Sequence, residues 1–464
     1  MTARSLAAAL VLALAGGRAL AAAAEEPGRA GAPGQPAPLP CAGSAECARR
    51  EGYGQVCTDG HCARYLDAKD LLEWIGLKKS RGTLEAFKLY PSVIPSVGYT
   101  PQNGFVIGIT TLAGIYLGDP ETTTISNIGL VALYTSKNQV ILQSRNVAML
   151  EANAWQLQGD YRLLLTNQPT YGLGSSASAE DGAFSLGGGG ATATLAGEQP
   201  MDFNLVRLHQ TVLRRIHGAI FLGASYRLDR YFGIVDQRLD LAAAPPVVTS
   251  HYAYSTMNGF GTAAYTTSGV GLEAVLDSRD STINAYRGWY LNASLRAYPK
   301  ALGSTRDATL AYGEARTYVG LSDDVPRNVL AFWALAQGVT SGALPYLALP
   351  AIGWDFALRT GRGYVQGRFR GTSEVYGEAE WRFRLTQDGF LGGTVFANAS
   401  TFSRPAVSVP GYAQPGEALF STIRPAGGVG LRFMMNREAR NNVTLDLGVG
   451  EGTVAIYFGA GEAF

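Results

Sequence analysis

Charge is scarce in this chain of 464 residues: 16% are Asp, Glu, Lys or Arg, and the two signs balance to a formal +1. So low a charged fraction points to a large surface that does not face water, and the balance excludes the basic footprint of a nucleic-acid binder. Histidine is scarcer still, at four residues. His61 adjoins a cysteine, and His209, His217 and His251 stand without a recognisable serine or carboxylate pattern. An enzyme built on a nucleophile beside a base therefore has little support, and no catalytic residue, metal or cofactor is expected. Long hydrophobic runs are also missing. Beyond the N-terminus no clean stretch of about 18 apolar residues remains, which excludes a membrane protein built of helices. Cysteine is confined to Cys41, Cys47, Cys57 and Cys62.

What is present begins with an export signal. Arg4 precedes an apolar run from Leu6 to Leu14, and small-residue cleavage options end near Ala21 or Ala24; the run is too short for a spanning helix and is interrupted by Arg18. Residues 1–24 are read as a signal peptide and 25–40 as a Pro/Gly/Ala linker unable to bury a core. In an oxidising compartment, an even number of cysteines this close together suggests two disulfides in a small periplasmic module over residues 41–64, with the connectivity open. Zinc is the weaker reading, because the spacings do not match paired ligands. A short helix and linker over 65–88 follow, from the apolar spacing of Leu66, Leu71, Leu72 and Ile75.

Residues 89–464 read as strands. The segment 89–118 carries no charge but holds Pro91, Pro95 and Pro101 with many Thr, Gly and β-branched residues, which suits two consecutive strands better than a helix. Further on, segments of about ten residues alternate in polarity, the signature of strands with one face in lipid and one in a lumen. In "VYGEAEWRFRL" Ala379, Trp381, Phe383 and Leu385 share one face, and Glu378, Glu380, Arg382 and Arg384 the other. In "NNVTLDLGVG" Val443, Leu445, Leu447 and Val449 oppose Thr444, Asp446 and Gly448. A soluble sandwich would leave the export signal, low charge and aromatic content as coincidences. Backbone groups in lipid are satisfied only by closing a sheet. The expected fold is therefore all-β, an antiparallel transmembrane barrel of about 16 strands, charged face inward. Ser175–Pro200 is expected as a surface loop.

The stretch "GRGYVQGRFRGTSEVYGEAEWRFRL" resembles the long sixth loop and following strand of the bacterial surface antigen barrels, the superfamily of the outer-membrane barrel-assembly insertase and the two-partner secretion transporters. "LDSRDSTINAYRGWYL" is similar to a further family segment, placing Asp277, Arg279, Asp280, Gly288 and Trp289; "IPSVGYTPQNGFVIGI" is similar to a first-strand segment, and "AGGVGLRF" with "LDLGVG" to the penultimate strands. The last strand, with Val454, Ile456, Phe458 and Ala460 outward and ending on Phe464, resembles the family's assembly signal. The resemblance implies that the tip Arg362, Gly363 and Tyr364 folds into the lumen and that Arg362 pairs with acids on the wall. Two departures stand out. Asn398 occupies a position where aspartate is usual, which shifts the expected pairing to Glu380 or Glu378, and Ala285 replaces a common proline.

An arginine fork can make bidentate bonds to carboxylates, and glycine lets a backbone approach closely, so the tip is expected to lock a plug loop. The family's client-receiving POTRA repeats are not evident between signal and first strand, which suggests a short member. The function expected is transport or assembly of a protein or lipid at the bacterial outer membrane. Expected partners are outer-membrane lipid and lipopolysaccharide, the barrel-assembly machinery during biogenesis, and a periplasmic protein docking on the Cys module. A passive porin-like channel is the alternative, and an outer-membrane phospholipase a lesser one.

Overall fold

The computed structural model describes residues 55–58, 61–64, 68 and 86–464, apart from 101–103, 178–196, 323–326, 357, 387–388 and 438–439. The signal peptide, the linker, Cys41, Cys47, most of the 65–88 segment and most of the Ser175–Pro200 insert lie outside the described residues. A small hairpin, β1 (Gln55–Thr58) and β2 (His61–Arg64), comes first. Cys57 stands opposite Cys62 in its register, and Cys62 is disulfide-bonded.

Among the described residues, the body of the molecule is one sixteen-stranded antiparallel sheet. Its strands are β3 (Leu89–Thr100), β4 (Gly104–Ile115), β5 (Ser126–Thr135), β6 (Val140–Leu150), β7 (Trp155–Thr166), β8 (Met201–His217), β9 (Ile220–Asp236), β10 (Ala264–Asp277), β11 (Gly288–Tyr298), β12 (Ala308–Gly320), β13 (Val329–Gly342), β14 (Ser373–Arg384), β15 (Leu391–Ser403), β18 (Arg424–Asn436), β19 (Asn441–Gly450) and β20 (Thr453–Ala460). Each pairs with the next in chain order; β16 (Val407–Val409) and β17 (Tyr412–Gln414) form a separate hairpin between β15 and β18. The end strands β3 and β20 come within 8 Å of one another, yet no ladder joins them among the described residues. Pro91 and Pro95 lie inside β3. Proline donates no backbone hydrogen bond, and an end strand is where a sheet tolerates it.

Alternation sorts the side chains as the polarity pattern requires. Leu130, Leu272, Leu295, Phe332, Trp381 and Ile456 point outward and are exposed, Leu272 by 73%. Single exposed leucines are ordinary, but an apolar surface running across the whole sheet is suited to lipid. Asp160, Arg162, Arg207, Asp229, Glu273, Arg296, Glu314, Glu378, Glu380 and Asp446 point inward and are buried.

The long connections all emerge at one end of the sheet. There they carry a helix, α1 (Ser250–Met257), capped by the Thr249 side chain accepting from Tyr252 N. The sequence pattern does not announce this helix, since eight residues with no clear apolar stripe give little signal. It packs with Tyr231, Tyr254, Tyr265, Tyr346 and Phe203 into an aromatic cluster over the lumen. Inside it, His251 Nδ1 lies 2.7 Å from Asp236 Oδ2.

One expectation is corrected at the end of the chain. β20 stops at Ala460, Gly461 adopts φ +80°, and the chain turns inward. Phe464 is buried, with its ring 5.2 Å from that of Trp333, so the last strand does not run on to it as the sequence pattern suggests. Phe458 lies on the outward face of that strand, 48% exposed. Inside, Phe464 meets Trp333, Tyr318 and Arg382, and this apolar and cationic pocket favours the ring over a place at the strand's rim.

Candidate functional site: the inward loop and its acidic seat

Residues 343–372, between β13 and β14, fold back against the inward face of the sheet, and every described residue from 358 to 370 is buried or half-buried. The turn is set locally by Asp355. Its Oδ1 accepts from Arg359 N (3.1 Å), Thr360 N (2.9 Å) and Thr360 Oγ1 (2.7 Å).

Arg362 is the centre of the contact with the wall, its side chain wholly buried. It pairs with Glu378 and Glu380 on β14 and donates from NH1 to Asp446 Oδ2 on β19 at 2.8 Å. Its guanidinium lies 3.7 Å over the Phe396 ring. Burial by itself would depress this cation; the charges of Glu378, Glu380 and Asp446 outweigh it and hold Arg362 well above its ordinary pKa. The acids are shared with a second tier. Arg382 Nε donates to Glu380 Oε1 (2.6 Å), Arg432 NH1 to Asp446 Oδ1 (2.5 Å), and Arg432 Nε to Glu462 Oε2 (2.6 Å). Burial would raise Glu462, but Arg432 and Arg382 prevail and keep its carboxyl below the usual range.

The rest of the tip is seated by backbone bonds. Gly363 N donates to Tyr457 OH (2.9 Å), which in turn donates to Tyr364 O (2.8 Å), and Tyr364 OH donates to Pro425 O (2.6 Å). Burial pushes the Tyr364 phenol above its ordinary pKa. Glycine is required where the two chain segments meet. Gly363 has φ +116°, and a Cβ there would come 2.8 Å from Ala426 Cβ. A Cβ at Gly448 would lie 2.6 Å from Gly363 N, and one at Gly450 2.6 Å from Tyr364 Cε1.

Asn398 sits beneath the tip and acts through its amide, Nδ2 donating to Arg362 O at 2.9 Å. The loop's other arginines brace it elsewhere. Arg370 NH1 donates to Leu347 O at 2.8 Å, and Arg368 NH1 to Ala177 O at 2.9 Å.

The structure thus brings together Arg362, Gly363, Tyr364, Glu378, Glu380 and Asn398. It adds Asp446, Arg382, Arg432 and Tyr457, which the sequence pattern does not single out for this site. A signal for Asp446 exists all the same, as the one acid on the inward face of "NNVTLDLGVG". The second group lies apart, at the short-turn end. There Arg279 donates twice to Asp277 (2.8 and 2.7 Å). Asp280 accepts from Tyr286 N (2.9 Å) and Arg440 NH1 (2.6 Å). Gly288 takes φ +109°, and Trp289 faces outward, 53% exposed. These residues hold a turn.

An all-β sheet with an apolar outer face, a charged inner face and an arginine-tipped loop folded against it defines a barrel protein of the outer-membrane class. The Omp85 superfamily domain matches residues 215–464, more than half of the chain, so the chain belongs to the Omp85 superfamily, proteins of the bacterial outer membrane. No curated protein matches it. Among solved structures it is similar to BamA from Haemophilus ducreyi lacking POTRA domains 1-3 (12% identity, 80% of this chain and 70% of that one, TM-score 0.45). It is also similar to CdiB from Escherichia coli (10% identity, 80% and 62%, TM-score 0.46) and CdiB from Acinetobacter baumannii (12%, 81% and 65%, TM-score 0.43). The chain thus spans less than two thirds of either CdiB chain, and the family assignment rests on the domain match.

Proposed function

We propose that this protein transports or assembles a protein or lipid substrate at the outer membrane, and that its lumen is held shut by the Arg362–Gly363–Tyr364 tip until the substrate or a partner releases it. The observation that carries this reading is the seat of Arg362, a wholly buried cation spent on Glu378, Glu380 and Asp446. A buried charge is costly unless fully paired, and the wall supplies that pairing from two strands on either side of β15 and β18, which suits a loop that must stay in one place. The aromatic cluster at the long-loop end closes the lumen from that side.

In this reading the sixteen strands close into a barrel in the membrane, in contact with lipid and lipopolysaccharide. The signal peptide is removed. The Cys module, stapled by disulfides, stands in the periplasm as a docking element, and the barrel-assembly machinery inserts the chain. The protein performs no covalent chemistry.

Single-channel conductance of the purified protein in planar bilayers, wild type beside Arg362→Ala, tests it. The wild type should be closed or flickering and the variant open. A steady open pore of equal conductance in both would make this a passive channel and refute the lock.

A further inference from the structure

A second feature of the lumen lies away from the Arg362 seat. A cavity of about 230 Å³ is walled by strands β8 to β12 and their neighbours and roofed by residues 344–356 of the inward loop. Most arginines on or near its wall have a carboxylate of their own. Arg207 donates to both oxygens of Asp229 (2.7 and 3.0 Å), Arg279 to both of Asp277 (2.8 and 2.7 Å), and Arg316 Nε to Glu314 (2.6 Å).

Arg227 and Arg296 differ, because they share one. Arg227 NH2 is 3.3 Å from Glu273 Oε1, and Arg296 Nε is 3.9 Å from the same oxygen. That oxygen already accepts from Ser225 Oγ at 2.6 Å. A separation of 3.9 Å is beyond a hydrogen bond. Arg296 is 8% exposed, its guanidinium lies 4.4 Å over the Tyr312 ring, and its side chain makes no hydrogen bond among the described residues. Its Nε and that of Arg227 are buried without a partner. An imidazole carries no negative charge in either protonation state, so His209 cannot compensate the pair; it faces Asp229 with Nε2 at 3.1 Å and Arg227 NH1 with Nδ1 at 3.2 Å. The opposite strand makes room for the arginine: Gly271 pairs with Arg296 in register, and a Cβ there would come 3.2 Å from Arg296 Cγ and 2.6 Å from Ser225 Oγ.

Two guanidinium groups against one carboxylate leave a cation uncompensated in a polar, partly enclosed space. A buried charge in that condition is unfavourable unless a counter-ion joins it. We propose that this cavity is a binding site for a phosphate-class oxyanion, held by the Arg296 and Arg227 forks. Planar guanidinium forks match pairs of phosphate oxygens, and the volume suits a small tetrahedral anion. The source is either free phosphate or the phosphoryl group of a lipid headgroup.

The test is binding of inorganic phosphate and of sn-glycerol 3-phosphate to the full chain in detergent micelles, followed by titration calorimetry and phosphorus NMR line broadening. The variants are Arg296→Gln, Glu273→Gln and, as a control, the exposed Arg230→Gln. Wild type should bind saturably. Arg296→Gln should weaken binding by about tenfold or more, Arg230→Gln should leave it unchanged, and Glu273→Gln should tighten it by removing the competing carboxylate. A tightened variant cannot be explained by loss of structure. Equal binding of both probes supports free phosphate; preference for the glycerol ester supports a lipid headgroup. Absence of saturable binding by wild type, equal loss in Arg296→Gln and Arg230→Gln, or no tightening in Glu273→Gln would each overturn the proposal.

Discussion

Replacing Arg362 with methionine removes the cation at the centre of the proposed lock while keeping most of its volume. Three carboxylates are then deprived of a partner, but not equally. Glu380 keeps Arg382 at 2.6 Å and Asp446 keeps Arg432 at 2.5 Å, whereas among the described residues Glu378 retains only the Tyr376 hydroxyl. Leaving one buried charge unpaired costs about 3–5 kcal/mol. That energy should appear in the opening of residues 343–372 rather than in the strand ladders, since every ion pair that Arg362 makes ties the loop to the wall and none ties strand to strand. At about 1.4 kcal/mol per tenfold, the open fraction rises about a hundredfold to a few thousandfold. Trypsin provides the assay, because Arg359, Arg368 and Arg370 lie in this loop and none of them is exposed in the seated state. When opening is fast relative to cleavage, the cutting rate follows the open population. Adding Glu378→Gln removes the orphaned charge and should slow cutting again, with a coupling of about 0.5–3 kcal/mol. Cleavage at the wild-type rate in Arg362→Met, or a Glu378→Gln effect that is the same with and without Arg362, would refute the reasoning.

Gly363→Ala places a methyl 2.8 Å from Ala426 Cβ at a backbone angle that L-residues rarely adopt, so the tip should lift, costing about 1–3 kcal/mol and accelerating tryptic cutting of the loop. Asn398→Asp removes the donor to Arg362 O and adds a further carboxylate to the seat; it should weaken the loop by about 1–3 kcal/mol in the same assay, although aspartate is the residue common to the resembling barrels. Leu272→Arg, on the outward face near the middle of β10, should lower the stability of the folded protein in lipid vesicles by about 2–4 kcal/mol, read from urea unfolding by tryptophan fluorescence. An unchanged midpoint would mean that this face does not meet lipid.

The polarity of the strands is legible because side chains alternate with a strict period of two, and so the faces of β14 and β19 can be assigned from "VYGEAEWRFRL" and "NNVTLDLGVG" alone. Gly363 and Arg362 can be marked as a tip by residue chemistry. The period gives a face, however, and neither depth nor neighbours around the sheet. Asp446 is readable as inward, yet its meeting with an arginine 84 positions earlier in the chain depends on where the loop comes to rest. The same limit hides the sharing of Glu273, which arises only once β9, β10 and β11 are in register. The inward turn of Phe464 depends on a pocket made by β12, β13 and β14, and helix α1 is too short to announce itself.

The sequence by itself therefore determined the class of protein: low charge, no long apolar helix, alternating strands and an arginine-glycine tip leave a membrane sheet with a charged interior as the consistent solution. Tertiary structure decided which charges meet. Burial makes each unpaired charge expensive, so partners are selected by three-dimensional proximity inside the lumen, and that proximity is a property of strand register and loop path that no local pattern carries.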